Sequence, residues 1–352
     1  MNKMDIKTLG RFADQPVLLN KLHKKIPALL IGAGGAYGVF DTYKSSKGRD
    51  KNFKKKKIIK NTIIISATAA ASLMGANGLS IKGKKILPGL ISNEKITDIL
   101  RKQNIAADCF LHSQKGRVDD DIQKVLHSAR KGALSLKETE ILLKKIPDTD
   151  AKRKLLNVLL PEPENLDSKG IFSEIGRLSL LGAIPVIGGV LGGIAADRIT
   201  KTSDKNSTAN KIKEGFYQYF ANIFLCNVGA CTALFCSEGL QKTGIIKPLS
   251  SLKKMAVILT GITATGIVGG SWIANKLSQN FIDPLFDKGK KRKHKSVYDE
   301  RKPELADIAL HVDDIATAGV LSGFKWIEPA LPLMYFVSGY RAGIGYRNNK
   351  SL

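Results

Sequence analysis

The sequence predicts an all-α, polytopic helical membrane protein of about five to seven glycine-rich membrane segments, carrying a soluble α-helical insert. Two observations lead there. Residues 178–196, LSLLGAIPVIGGVLGGIAA, run for nineteen positions without a charge, long enough to cross a bilayer core at 1.5 Å per residue. Residues 61–81, 215–237 and 255–275 are uncharged runs of similar length, while 82–177 mixes 19 basic with 14 acidic residues. A mean hydropathy of −0.07 therefore hides apolar blocks set between charged ones.

Residues 1–25 read as a basic surface segment, with Leu9, Phe12, Val17, Leu18 and Leu22 against the membrane or the bundle. Residues 26–81 form a first membrane hairpin. Its opening run, Ile26 to Phe40, has only fifteen uncharged residues, so a short tilted span, favoured, competes with a re-entrant segment or a buried helix. The run 61–81 is a span. In the insert, 82–177, Ser135 followed by Glu138 is a capping box and Pro147 closes the helix it begins. Further helices are expected over 92–102, 119–130 and 150–160, with almost no strand signal. Residues 178–275 form a three-span core in which Phe216, Tyr217, Tyr219 and Phe220 mark one interface. A basic cytoplasmic loop, 276–302, leads to C-terminal membrane-associated helices, 303–352. There 305–325 and 326–346 are apolar but carry Asp307, His311, Asp313, Asp314, Glu328 and Arg341, and one or both cross.

Charge sets the orientation. Loops 41–60, 197–214 and 276–302 hold nine, five and nine Lys or Arg, against four in 238–254. The first three are therefore cytoplasmic and the insert lies opposite. A net charge of +25 suits nucleic acid or anionic lipid. Few rings accompany the basic tracts and no nucleic-acid module surrounds them, so anionic headgroups are the expected contact and nucleic acid is not. Lys54, Lys55, Lys56, Lys57, Lys290, Lys291, Arg292 and Lys293 are the candidate lipid-binding cations. No cleaved leader is evident, and the expected location is a plasma or bacterial inner membrane.

Gly34, Gly188, Gly192, Gly193, Gly269, Gly270, Gly339 and Gly343 are the candidate packing positions, since glycine lets helices in lipid approach closely. Pro27 and Gly34, Pro185 and Gly192, and Pro332 and Gly339 share a seven-residue spacing. This is a weak echo of the repeats from which transporters are built, and the third copy would run opposite to the first two if the final segment is a single ascending helix. Glu304, Asp307, His311 and Asp314 share one helical face. At membrane depth they would form an ion or proton path; in the interface they would be a wet polar stripe. Arg341 either pairs with Glu328 or Asp314 in the bundle or snorkels to the surface.

Cys226, Cys231 and Cys236 recur every fifth residue, as small buried filler would. There is no GxSxG, Walker loop or HExxH, so neither an enzyme nor a cofactor or metal is expected. The leading expectation is a non-enzymatic membrane-organising or docking protein acting through its insert on a protein partner, with homo-oligomerisation left open. The alternative is a solute, ion or proton transporter or channel using the Asp/His face.

Overall fold

The computed structural model describes residues 6–90, 94–114, 118–162, 166, 168–203, 207–286 and 312–345. It is mostly helical and divides into two units, one drawn from residues 1–25, 91–165 and 322–329, the other from 26–90, 166–321 and 330–352.

In the first unit, α1 (Ile6–Ala13) and the start of α2 (Pro16–Ser46) join α4 (Ile96–Ser113), α5 (Asp120–Lys131), α6 (Leu136–Lys145) and α7 (Asp150–Leu159). Three of these helices start where the sequence supplies an acceptor for an orphan amide. Asp119 caps α5, Thr149 caps α7, and Ser135 with Glu138 forms the expected capping box on α6. Their apolar faces close on Phe110, Leu126, Leu142, Leu155 and Leu159, all at most 3% exposed. Full burial of one such side chain is worth roughly 1.5–3 kcal/mol. The N-terminal segment belongs to this core. The Gln15 side chain donates to the Leu134 carbonyl at 3.0 Å and accepts from the Leu134 N–H at 2.7 Å, and Asp14 accepts from the Trp326 N–H at 2.7 Å.

The second unit is a helix bundle around α8 (Ser168–Thr200), the helix containing the sequence's nineteen-residue run. Leu178, Leu181 and Val186 are buried beside its inward glycines, while other large residues face out. Leu180, Ile187, Leu191 and Ile199 are 45–64% exposed, as a lipid-facing surface requires. Gly188 meets Ala71, and Gly192 comes within 2.6 Å of Ala67 through the position a Cβ would take, so α3 (Lys51–Asn77) lies antiparallel to α8. On the adjoining face a Cβ on Gly189 would collide with the Gly339 carbonyl and one on Gly193 with the Gly343 carbonyl. Here the residue numbers rise together, so the C-terminal helix Leu331–Ile344 runs parallel to α8. Gly34 of α2 meets Phe336, and Tyr340 bonds Asp41, which makes α2 parallel to that helix as well. All three helices of the Pro/Gly echo therefore point the same way, correcting the reversed third copy expected from sequence.

The remaining wall is α9 (Ser207–Tyr219), a π-helical turn (Phe220–Phe224) and α10 (Leu225–Lys242), antiparallel to α8. Against it lie α11 (Ser251–Ile262), a π segment (Thr263–Val268) and α12 (Gly270–Leu277). Gly229 and Gly261 interlock backbone to backbone between α10 and α11. A third π segment (Ser278–Ile282) leads into α13 (Asp283–Phe286); α14 (Val312–Leu321) and α15, the helix Leu331–Ile344, complete the unit.

Among the described residues three helices are long and apolar enough to cross a membrane: Lys51–Asn77, Lys169–Thr200 and Ser207–Lys242. The bent pair Lys253–Gly266 and Gly270–Ile282 makes a fourth if it is one span. Five to seven are not supported. The α2 helix has 31 residues, but its uncharged run ends after fifteen at Asp41, and α15 has only 14, about 21 Å of rise. The 61–81 run also stops short as helix. Leu79–Ile81 and Lys84–Leu87 pair as antiparallel strands β1 and β2 around Lys82 and Gly83, both at positive φ, the geometry of a two-residue hairpin turn.

Two outcomes follow from this packing. Gly189→Val should lower thermal stability in detergent by about 1–3 kcal/mol or more through overpacking, whereas Gly35→Ala, which meets nothing within 4 Å, should be nearly silent. In the first unit, burial raises the Asp14 carboxyl to about 6, against the opposing pull of the Trp326 amide. Its folded value lies above the unfolded one, so its contribution is complete below pH 4 and is lost as pH rises through 6, by up to ~3 kcal/mol. Melting curves between pH 4 and 7 should show this decline in the wild type and not in Asp14→Asn.

Candidate functional site

The first unit leaves a groove open between α4 and α7. Its volume is about 670 Å³, and Ile105, Cys109, Phe110, Ala151, Leu155 and Val158 supply an apolar floor and walls. Ile105 is 56% exposed, because core residues Ala107 and Phe110, two and five positions on, stand about 160° and 140° around α4 from it. Charges at the rim are paired. Lys102 reaches Glu94 at 2.7 Å and Lys154 reaches Asp150 at 2.9 Å.

A different chemistry lies inside the bundle. At the end where α3 begins, α8 ends and α9 begins, the Asp197 carboxylate is 3% exposed. It accepts from Lys60 at 2.5 Å, from Lys211 and Ser207, and from Thr202 at 3.4 Å. Lys211 also donates to Ser207 Oγ at 2.7 Å. Helices from three parts of the sequence are thereby clamped on one anion. Beyond it, along α9 and the π turn, Gln218 donates to Glu214 and Asn222 donates to Gln218, each at 2.9 Å. Asn227 then donates to Ser179 of α8 at 3.1 Å. Lys213, Glu214, Gln218, Asn222, Asn227 and, on α15, Arg341 are all buried.

The candidate residues from sequence divide among these regions. Gly188, Gly192, Gly193, Gly339 and Gly343 meet at α8, α3 and α15, Gly34 packs on Phe336, and a Cβ on Gly270 would stand 3.0 Å from the Ala221 carbonyl; Gly269 meets its own helix instead. Lys54, Lys55 and Lys56 are exposed on the first turns of α3, and Lys57 pairs with Asp41 at 3.3 Å. Lys290, Lys291, Arg292, Lys293, Glu304, Asp307 and His311 lie outside the described residues. Asp314 is buried on α14. Arg341 is 1% exposed and so does not snorkel. Of the cysteines, Cys226 is buried, Cys231 half-buried and Cys236 exposed. Five residues turn a helix through about 500°, so the three do not share one face, which corrects the expectation of three buried fillers.

Sequence reasoning passed over Asp197, Lys60, Lys211, Gln218 and Asn222. Lys60 and Lys211 were counted among loop charges, and Asp197 follows the uncharged run directly. A signal was present in Ser207, Lys211, Glu214, Gln218 and Asn222, polar residues three and four apart on one helical face.

No family model, curated protein or solved structure matches this chain. The functional reading rests on the geometry.

Asp197→Asn should destabilise the protein by about 3–5 kcal/mol, because Lys211 would stay buried with its anion removed. Adding Lys211→Met to the same chain should recover much of the loss in detergent melting experiments.

Proposed function

We propose that the protein is a non-enzymatic membrane docking protein, held in the bilayer by its glycine-packed bundle and receiving a protein partner on its helical unit. One observation carries this reading: the apolar groove between α4 and α7, about 670 Å³ in volume, on a unit with its own closed core. Two parallel walls of helix with an apolar floor and a charged rim suit the apolar face of an amphipathic helix. Paired rim charges leave apolar complementarity as the main source of affinity, with little long-range steering.

The basic end of the bundle supports the anchoring half of the proposal. Lys54, Lys55 and Lys56 are exposed beyond the apolar part of α3. There each cation near an anionic leaflet is worth about 1 kcal/mol. The reading places this end in the cytoplasm and the chain's departures toward the helical unit, after Asn77 and before Ser168, at the other.

Cys109 lines the groove and is exposed, which gives the test its handle. A photo-crosslinker on Cys109, in a chain whose other cysteines are serine, should yield a protein adduct in native membranes. Ile105→Glu, a change at an exposed position, should abolish that adduct and leave the melting temperature unchanged. Adducts to lipid alone, or an adduct indifferent to Ile105→Glu, would remove the groove from the proposal.

A further inference from the structure

The buried face of α9, the π turn and α10 carries Ser207, Lys211, Glu214, Gln218, Asn222 and Asn227, a polar side chain at every turn. Twenty residues of helix rise about 30 Å, the full thickness of the hydrocarbon core. The π turn keeps the file in register. In an unbroken α-helix Cys226 would follow Asn222 on this face, but one extra residue in the turn brings Asn227 into line, where it meets Ser179.

We propose that this file is a proton path through the bundle, with the Glu214 carboxylate as its exchange group. The inference rests on the bundle being membrane-embedded and is independent of the groove. Its bonds give it direction: Asn222 donates to Gln218 and Gln218 to Glu214, so both amides present their donors toward the carboxylate. From Asn222 through Gln218 to Glu214 the side chains are bonded directly to one another and leave no place between them for a hydrated ion, whereas a proton travels along the bonds themselves.

The transfer balances with water as the only co-reactant, at its two ends. Gln218 takes a proton on Oε1 from Asn222 and loses one from Nε2 to Glu214. After the side chain turns over it takes the next proton on Nε2 and loses one from Oε1, and a second turn restores the amide in its first orientation. Asn222 runs the same cycle, regaining on Oδ1 from water what its Nδ2 gives up, and Glu214 hands each proton it receives to water on the basic side, so only N–H and O–H bonds are made and broken.

Both ends of the file have polar outlets. One and two turns before Glu214, toward the basic end, stand Lys211 and Ser207, both bonded to the Asp197 carboxylate beside Lys60, which is 20% exposed. Toward the other, five residues after Asn222, Asn227 meets Ser179 on α8, which lies five and two residues after Glu174 and Arg177, an ion pair 19% and 13% exposed. The charged groups carried by the helices of the bundle around this file are Lys211 and Lys213 on the same helix as Glu214, Asp197 on α8, Lys60 on α3, Arg341 on α15, Asp314 on α14 and Lys276 on α12. Six of these seven groups and Glu214 sit in or at the edge of the apolar bundle, where ionisable side chains are rare unless they handle ions or protons.

The test uses the full-length protein reconstituted into phospholipid vesicles with a pH-sensitive dye inside. A potassium gradient with valinomycin drives the protons. Wild-type vesicles should acidify at least tenfold faster than protein-free ones, and Glu214→Gln should lose that excess while Glu214→Asp keeps it within a few-fold. Gln218→Leu, which breaks the file without touching a charge, should lose it too and decides the matter if Glu214→Gln does not fold. Wild-type protein that floats with the vesicles but leaves acidification at the protein-free rate overturns the proton path alone. Protein that does not float with the vesicles overturns the membrane reading with it. Undiminished acidification in folded Glu214→Gln or Gln218→Leu also overturns the path.

Discussion

The close approach of α8 and α15 governs the bundle. Gly189 and Gly193 of one helix stand against the backbone carbonyls of Gly339 and Gly343 of the other, where any side chain would collide. Backbone contact of this kind replaces the hydrophobic effect, which gives helices in lipid no reason to associate. Turned through one residue, α8 offers Gly188 and Gly192 to Ala71 and Ala67 of α3. One helix thus holds two neighbours on adjacent faces with two four-residue repeats of the same small side chain. Its third neighbour, the α9–α10 wall, is joined by side chains instead: Ile223 on Gly182, Val190 on Gly215, and the Asn227–Ser179 bond.

Much of the fold was legible because its signals are local. The uncharged runs mark the helices that can cross, and the capping box at Ser135 and Glu138 fixes the start of α6 to the residue. What escaped depends on partners distant in sequence. Lys60 and Lys211 look like any loop lysines until α3 and α9 are brought to the end of α8, where both find Asp197. Gly229 and Gly261 carry no mark that separates them from Gly269, yet the first two interlock and the last meets only its own turn. The hairpin at Leu79–Leu87 was read as the end of a span because apolar residues continue past Asn77. The Lys82–Gly83 pair that reverses the chain was the available cue.

The two units differ in how they handle charge. In the helical unit, ion pairs such as Arg130–Asp108 and Lys145–Asp121 are exposed, where such contacts contribute little to stability. Inside the bundle, Asp197 and Lys211 are almost wholly out of water. There, loss of either partner strands the other, so the same residue types tolerate replacement in one unit and not in the other.

The order of synthesis gives the parallel contact of α8 and α15 a temporal side. About 130 residues separate Thr200 from Leu331, and at the usual pace of translation that is an interval of roughly 7–26 s. Through it the Gly189–Gly193 face of α8 has emerged while the helix that belongs on it has not. A nascent chain therefore carries an uncovered seam of backbone, open to small-residue helices from other proteins or to whatever assists insertion, until its own α15 arrives to fill it.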